Sequence, residues 1–305
     1  MFKKVAKTNQ SSAIAAVTQH SSGLRYLELS GYMGNFRIAR HVFIPIPRTV
    51  NADSAASLLN REVGIFNTPV VFGLPMRESM VRVIEYPRMP IEEAKQALQF
   101  DFDRHFTWSY SECTVDACEV DPPHSQSRDN MSMLVAASRN EHISKIVQIA
   151  ERANIELKAI EPMNVALLRA VTGPISRSEA WHSLYSDAEG LHFAFVDKSN
   201  GLFYRSSPMG ISGIIDVKNE EEVLKAVTEI QRTISYVSSQ FKGVSADSLV
   251  LSGAIAQNSE LIQIIQNSVD LKVETVNVYE QCGISASESA DIGIGFESAL
   301  GLCMF

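Results

Sequence analysis

The same order of elements runs twice through this sequence, and that repetition limits the folds open to it more than any other feature. In each half, short alternating strands joined by tight turns lead into a helix and then into a brief, wholly apolar strand. In the first half the strands fall at residues 13–17, 24–29 and 36–46, with turns at 18–23 and 31–34. Asp53 is placed to cap a helix through Arg61 that buries Ala56, Leu58 and Leu59, and residues 69–74 read as a buried central strand. In the second half the strands fall at 181–185, 191–197 and 202–206, with turns at 187–190 and 198–201. Asn219 can cap a long helix over 220–241, whose Val223, Val227, Ile230, Ile234 and Val237 form one stripe, and 249–251 is the matching buried strand. A meander, a crossover helix and a buried strand make one α/β layer, so the chain is expected to be a duplicated α/β fold.

Residues 80–154 interrupt the first half. A strand over 80–85 is stopped by Pro87 and Pro90, and the helix that follows over 91–104 carries Glu92 and Glu93 in its first turn. Ile91, Ala94, Leu98 and Phe102 keep helical spacing. Strands at 113–119 and 131–137 flank a polar loop at 121–130, and a helix over 142–153 carries Ile143, Ile146, Val147 and Ile149. A strand at 155–160, a helix over 162–171 and a linker at 172–178 return to the main pattern. A helix at 261–269, a strand at 271–276 and a terminal helix at 296–302 finish it. The expected division is therefore 1–79 with 155–178 as the first lobe, 80–154 as an inserted α+β subdomain, and 179–305 as the second lobe.

Composition excludes several functions. Lys and Arg number 27 against 35 Asp and Glu, a net charge of −8 without a basic cluster, which disfavours nucleic acid and anionic lipid as partners. Cys113, Cys118, Cys282 and Cys303 lack both zinc and CxxC spacing, so reduced structural thiols are expected. The lysines among residues 1–7 are followed by the polar residues 9–12, which is not a secretory signal, and a cytoplasmic location is expected. GxSxG, GxxxxGK[ST] and HExxH motifs are missing, Gly293 and Gly295 make only a lone GxG, and Asp101 with Asp103 reads as a solvated helix end beside Arg104 and His105. No catalytic or metal-binding constellation is expected.

Three blocks carry a family resemblance: the PRMP run at 87–90 with Glu93 and the aromatic segment 100–106; LVAASR at 134–139 with IELKAIEP at 155–162; and EIQRTI at 229–234 with LVLSG at 249–253. In this order they resemble the PilM family, cytoplasmic actin-like components of type IV pilus assembly, and the acidic character is most similar to its MshI subgroup, which serves mannose-sensitive haemagglutinin (MSHA) pili. The cytoplasmic part of the type II secretion L proteins is also similar. The resemblance implies an actin/Hsp70-like, ribonuclease H-like fold of two lobes, with a reduced 2B region and a C-terminal helix returning to the first lobe.

The resemblance also implies two glycine-bearing turns that hold phosphates, each with a nearby acid. Here Thr18, Gln19 and His20 replace the first Asp-Ile-Gly, Ser21, Ser22 and Gly23 follow, and Arg25 stands where the family has a Lys. In the second turn Asp187 keeps an acid, but Glu189 adds negative charge near a glycine position, and Ser252-Gly253-Ala254 replaces Ser-Gly-Gly. Residues 211–218 are too few for the helix that grips adenosine. Ser21, Ser22, Gly23, Arg25, Asp187 and Gly253 are thus expected to be remnants of a nucleotide site, with no cofactor; the alternative is retained ATP and Mg²⁺. Each also has a plain reading: a hairpin turn for Ser21–Gly23, a turn residue for His20, a solvated side chain for Arg25, and a Lys225–Glu229 surface ion pair.

Two functions follow. One is a non-enzymatic scaffold, peripheral to the inner membrane, that binds the cytoplasmic tail of a PilN-like inner-membrane protein and contacts the membrane only through it; a homo-oligomer is possible. The resemblance places that tail in a groove between the first-lobe core and the insert, and Phe106, Trp108 and Tyr110 are the candidate contacts, with core burial of Phe100 and Phe102 as the plain reading. The other is an actin-like ATPase that closes on nucleotide and gates pilus or type II secretion platform assembly.

Overall fold

Ala15, Ala16 and Val17 are buried on both faces of the first strand, as a central strand between two helical layers requires. In the computed structural model this strand, β1 (Ile14–His20), pairs antiparallel with β2 (Gly23–Tyr32), and β2 pairs with β3 (Asn35–Pro45). The structure describes residues 14–32, 34–46, 50–121, 129–173, 177, 179–198, 200–209 and 215–305. Readings made on residues 1–13, on most of the polar loop at 121–130, on 174–176 and 178 of the linker, and on 211–214 lie outside them.

The sequence placed Thr18 and His20 in a turn, but β1 runs on through both, and both are buried. The apolar run ends at Val17; what keeps the strand extended is pairing, Thr18 opposite Arg25 and His20 opposite Gly23.

Helix α1 (Ala52–Glu62) crosses to β4 (Val70–Leu74), which lies parallel to β1 and is buried throughout. Asn51 caps α1, its Oδ1 accepting the Ser54 N–H at 2.8 Å. Asp53, the expected cap, instead pairs with Arg152 at 2.9 Å.

The chain then builds β5 (Met80–Pro87), α2 (Ile91–His105), β6 (Cys113–Val120) and β7 (Asn130–Arg139), an antiparallel sheet of order β5–β7–β6. Ala94, Leu98 and Phe102 of α2 share its core with Met131, Met133 and Val135 of β7. Helix α3 (Asn140–Arg152) was expected to close this insert. It buries Ile146, Ile149 and Ala150 in the cluster of α1, β1 and β4 instead, so by packing it belongs to the first lobe. Strand β8 (Leu157–Pro162) completes a five-stranded sheet of order β3–β2–β1–β4–β8, and α4 (Met163–Thr172) follows.

The second lobe repeats the plan with β9 (Ala180–Asp187), β10 (Gly190–Asp197), β11 (Asn200–Ser207), α5 (Glu220–Gln240), β12 (Ala246–Gly253), α6 (Ser259–Ser268) and β13 (Lys272–Thr275). Its sheet order, β11–β10–β9–β12–β13, is the first-lobe order over again. Asn219 caps α5 as expected, but the buried stripe is Ala226, Ile230, Thr233 and Val237. Val223, Val227 and Ile234 sit half-buried at its border, one position round the helix. Lys225 pairs with Glu221 and Glu229 with Arg205, not with each other.

Two short helices not foreseen, α7 (Val278–Gln281) and α8 (Ala286–Ile292), lead to α9 (Glu297–Cys303). Helix α9 leaves the second lobe and packs on α4 and on β1, β2 and β4 of the first. Gly301 makes that approach possible, since a Cβ there would stand 1.8 Å from the Ala166 carbonyl oxygen. A single apolar cluster consequently runs from Leu27 and Val71 through Ala166 and Leu300 to Tyr185 and Val250. All four cysteines are unpaired, and among the described residues no helix is long and apolar enough to cross a membrane.

Candidate functional site

Because the two sheets share one strand order, their β1–β2 and β9–β10 hairpins are equivalent, and the lobes bring them face to face. The turn residues are Ser21 and Ser22 in the first, Ala188 and Glu189 in the second. Between the lobes lies a cleft of about 690 Å³. Gln19, His20 and Asn164 line it from the first lobe, Met80, Val81 and Val83 from the insert, and Asp187, Glu189, Tyr204 and Arg205 from the second lobe.

In its wall a buried polar cluster spans the lobes. Asp187 Oδ1 lies 3.0 Å from His192 Nε2 and accepts the Glu189 N–H at 2.8 Å; Oδ2 lies 3.7 Å from His20 Nδ1. His192 Nδ1 is in turn 3.0 Å from the Ser206 hydroxyl. Burial, then the Arg25 charge, pushes His20 down to about 4 and keeps it neutral. Burial works against ionised Asp187, but hydrogen bonding and charge from His192 outweigh it and lower its pKa.

Arg25 was read as either a phosphate clamp or a solvated side chain; it is neither exposed nor in the lining of the cleft. Its guanidinium lies over the rings of Phe43 and Phe296, 5.1 and 5.8 Å from their centroids, and bonds Ser22 Oγ at 3.3 Å. Nearby, Glu297 is buried and its pKa is raised by burial, while it accepts the Tyr185 hydroxyl at 2.9 Å and the Gly295 N–H at 2.6 Å. Sequence reasoning missed Glu297 and Tyr185. The available signal was an acid set inside the apolar C-terminal stretch.

The Ser21–Ser22 turn is met by protein. Glu189 reaches from the second lobe, and its Oε1 accepts the Ser21 N–H at 2.5 Å. Its other oxygen pairs with Arg77 Nη1 at 2.7 Å. Gly253 does not line the cleft; it lies opposite Ser186 in the β9–β12 register. Its φ of +71° and a Cβ position 2.3 Å from Ser186 O both demand glycine for reasons of backbone alone.

The aromatic candidates divide. Phe106 is buried, stacked on Phe102 with centroids 4.4 Å apart, and so is core rather than contact surface. Trp108 and Tyr110 are half-buried; Trp108 lies under Arg139, and Tyr110 meets the edge of Phe102. Phe100, which the plain reading placed in the core, is 91% exposed. Its helical spacing is two residues from Phe102, which places it on the opposite face of α2.

The sequence matches no family model and no curated protein sequence. Its structure resembles that of a PilM–PilN type IV pilus biogenesis complex, with a TM-score of 0.79 at 16% identity over 97% of this chain and 98% of that one. It also resembles the cytoplasmic domain of EpsL, an inner-membrane component of the Vibrio cholerae type II secretion system (TM-score 0.53, 10% identity, 92% and 95% covered). A Bacteroides thetaiotaomicron protein with an actin-like ATPase fold and unknown function is similar at a TM-score of 0.54, with 10% identity over 97% and 96%. The chain has the two-lobe actin-like fold.

Proposed function

We propose that the protein is a non-enzymatic scaffold of a type IV pilus assembly platform of the MSHA type, MshI-like in role, which binds the cytoplasmic tail of a PilN-like inner-membrane partner. The observation that carries this reading is the Glu189 contact: the turn that would meet a phosphate meets a carboxylate of the same protein. The lost acid at Thr18 and the buried His20 support it, because neither supplies a metal-positioning carboxylate. The likeness to the PilM–PilN structure supports the choice of partner. On this reading the protein is cytoplasmic and reaches the membrane through that partner. The tail lies extended along the insert, where Trp108 and Tyr110 are half-buried, Phe100 is exposed, and Met76, Met80 and Val83 add adaptable apolar surface at the cleft.

The second reading, an ATPase gated by nucleotide, draws on the interlobe cleft with Asn164 and Asp187 in its wall. Thermal shift separates the two. A ligand at about one hundred times its Kd adds roughly 2.7 kcal/mol of stability. Mg²⁺-ATP should leave the melting temperature unchanged, and a synthetic tail peptide of the partner recovered from membranes should raise it. Trp108→Ala should weaken that peptide tenfold or more, about 1.4 kcal/mol, while Phe106→Ala should instead destabilise the fold. A shift with Mg²⁺-ATP and none with the peptide would reverse the assignment.

A further inference from the structure

Glu189 stands on a hairpin turn of the second lobe, yet among the described residues every hydrogen-bond partner of its carboxylate belongs to the first. One oxygen takes the Ser21 N–H of the β1–β2 turn, and the other takes Arg77, which follows β4. These two first-lobe elements lie more than fifty residues apart in sequence and meet on a single anion. The base of the same turn is fixed as well: Asp187 accepts the Glu189 N–H and is itself held by His192. A backbone N–H at a tight turn beside an arginine is the donor set that grips an oxyanion. Carboxylate and phosphate oxygens satisfy such donors in the same way.

We infer that Glu189 is a built-in anionic ligand, plugging an oxyanion site formed by Ser21 and Arg77 and thereby clasping the two lobes shut without any bound molecule. Two charge-assisted hydrogen bonds from separate elements fix both position and orientation of the carboxylate. Burial opposes ionisation of Glu189, but hydrogen bonds from Ser21 and then the Arg77 charge overcome it, so the group stays charged near neutrality. Among the described residues, His20 Nε2 and Asp187 Oδ2 beside the clasp are buried without hydrogen-bond partners, a cost of closure that the Glu189 contacts must offset. The clasp is independent of whether a tail peptide binds elsewhere on the molecule.

Amide exchange and phosphate titration of the ¹⁵N-labelled full chain test it. In the wild type the Ser21 amide should exchange slowly and show no saturable response to inorganic phosphate. Glu189→Ala should speed Ser21 exchange about tenfold or more, the loss of a hydrogen bond to a charged acceptor. In that variant the same amide should titrate saturably with phosphate. Unchanged exchange in Glu189→Ala overturns the clasp. A saturable shift at Ser21 in the wild type, or none in Glu189→Ala, overturns the plugged oxyanion site. Should Glu189→Ala not fold, Glu189→Gln and Arg77→Gln keep the shape while removing one charge each; both must still speed Ser21 exchange, and equal rates would sink the inference.

Discussion

His20 and His182 are both held neutral inside the protein. Burial, joined at His20 by the Arg25 charge, pushes each down to about 4, whereas an unfolded chain protonates histidine near 6.5. A lowered histidine pKa means that the unfolded state binds the extra proton first. The stabilisation is therefore complete above about pH 6.5 and is lost as pH falls toward 4, each histidine removing about 2 kcal/mol by pH 5. Urea midpoints should drop markedly between pH 7.5 and 5, and His182→Leu should flatten that drop by roughly half. Equal midpoints at the two pH values would show that neither histidine stays neutral. Individual residues were the least legible scale in the sequence. Nothing local distinguishes Arg25 in the core from an arginine in water, because its burial comes from Phe43 across the strand pair and from Phe296, which is remote in the chain. The same holds for Phe106, a candidate contact that is buried, and Phe100, which the plain reading placed in the core and which is exposed.

Elements were easier to read, because each is dictated by its own period and end signals. The proline stop at 87–90 set the start of α2, and Asn219 caps α5 as its position suggested. Errors arose where two polar residues competed. Asn51 and Asp53 can both accept from a helix N-terminus, and the choice depends on where the chain enters; the Asp53 contact with Arg152 of α3 belongs to tertiary structure. Asn51→Ala should cost about 1 kcal/mol in urea denaturation, and Asp53→Ala, an exposed ion pair, about 0.5 kcal/mol or less. The reverse order would return the cap to Asp53. Helix α3 shows the other limit. Its apolar face was visible in the sequence, but whether that face would meet the insert or α1 was not.

At the scale of the whole molecule the duplication was legible, since each lobe repeats one order of strands and one crossover helix. The candidate site was legible only in part. Its turns and the unusual charge of Glu189 stood out, but the partner of that charge, Arg77, lies on a turn in the other lobe and carried no signal of its own. What joins the lobes is also α9, seated against α4 where Gly301 lets the backbones touch. Gly301→Ala should cost about 3 kcal/mol or more, because a methyl group cannot share the place of the Ala166 carbonyl. Fluorescence of Trp108 and Trp181, in the insert and the second lobe, should report both parts failing at lower urea than in the wild type. Trp181 responding alone would mean that α9 does not couple the insert to the second lobe. Cys303 Sγ donates to the Leu27 carbonyl across 276 residues of sequence. A ribosome making this chain must therefore finish the second lobe before the first can seal its own interior, so the earliest-made strands wait longest, with apolar surface uncovered, for the segment that completes them.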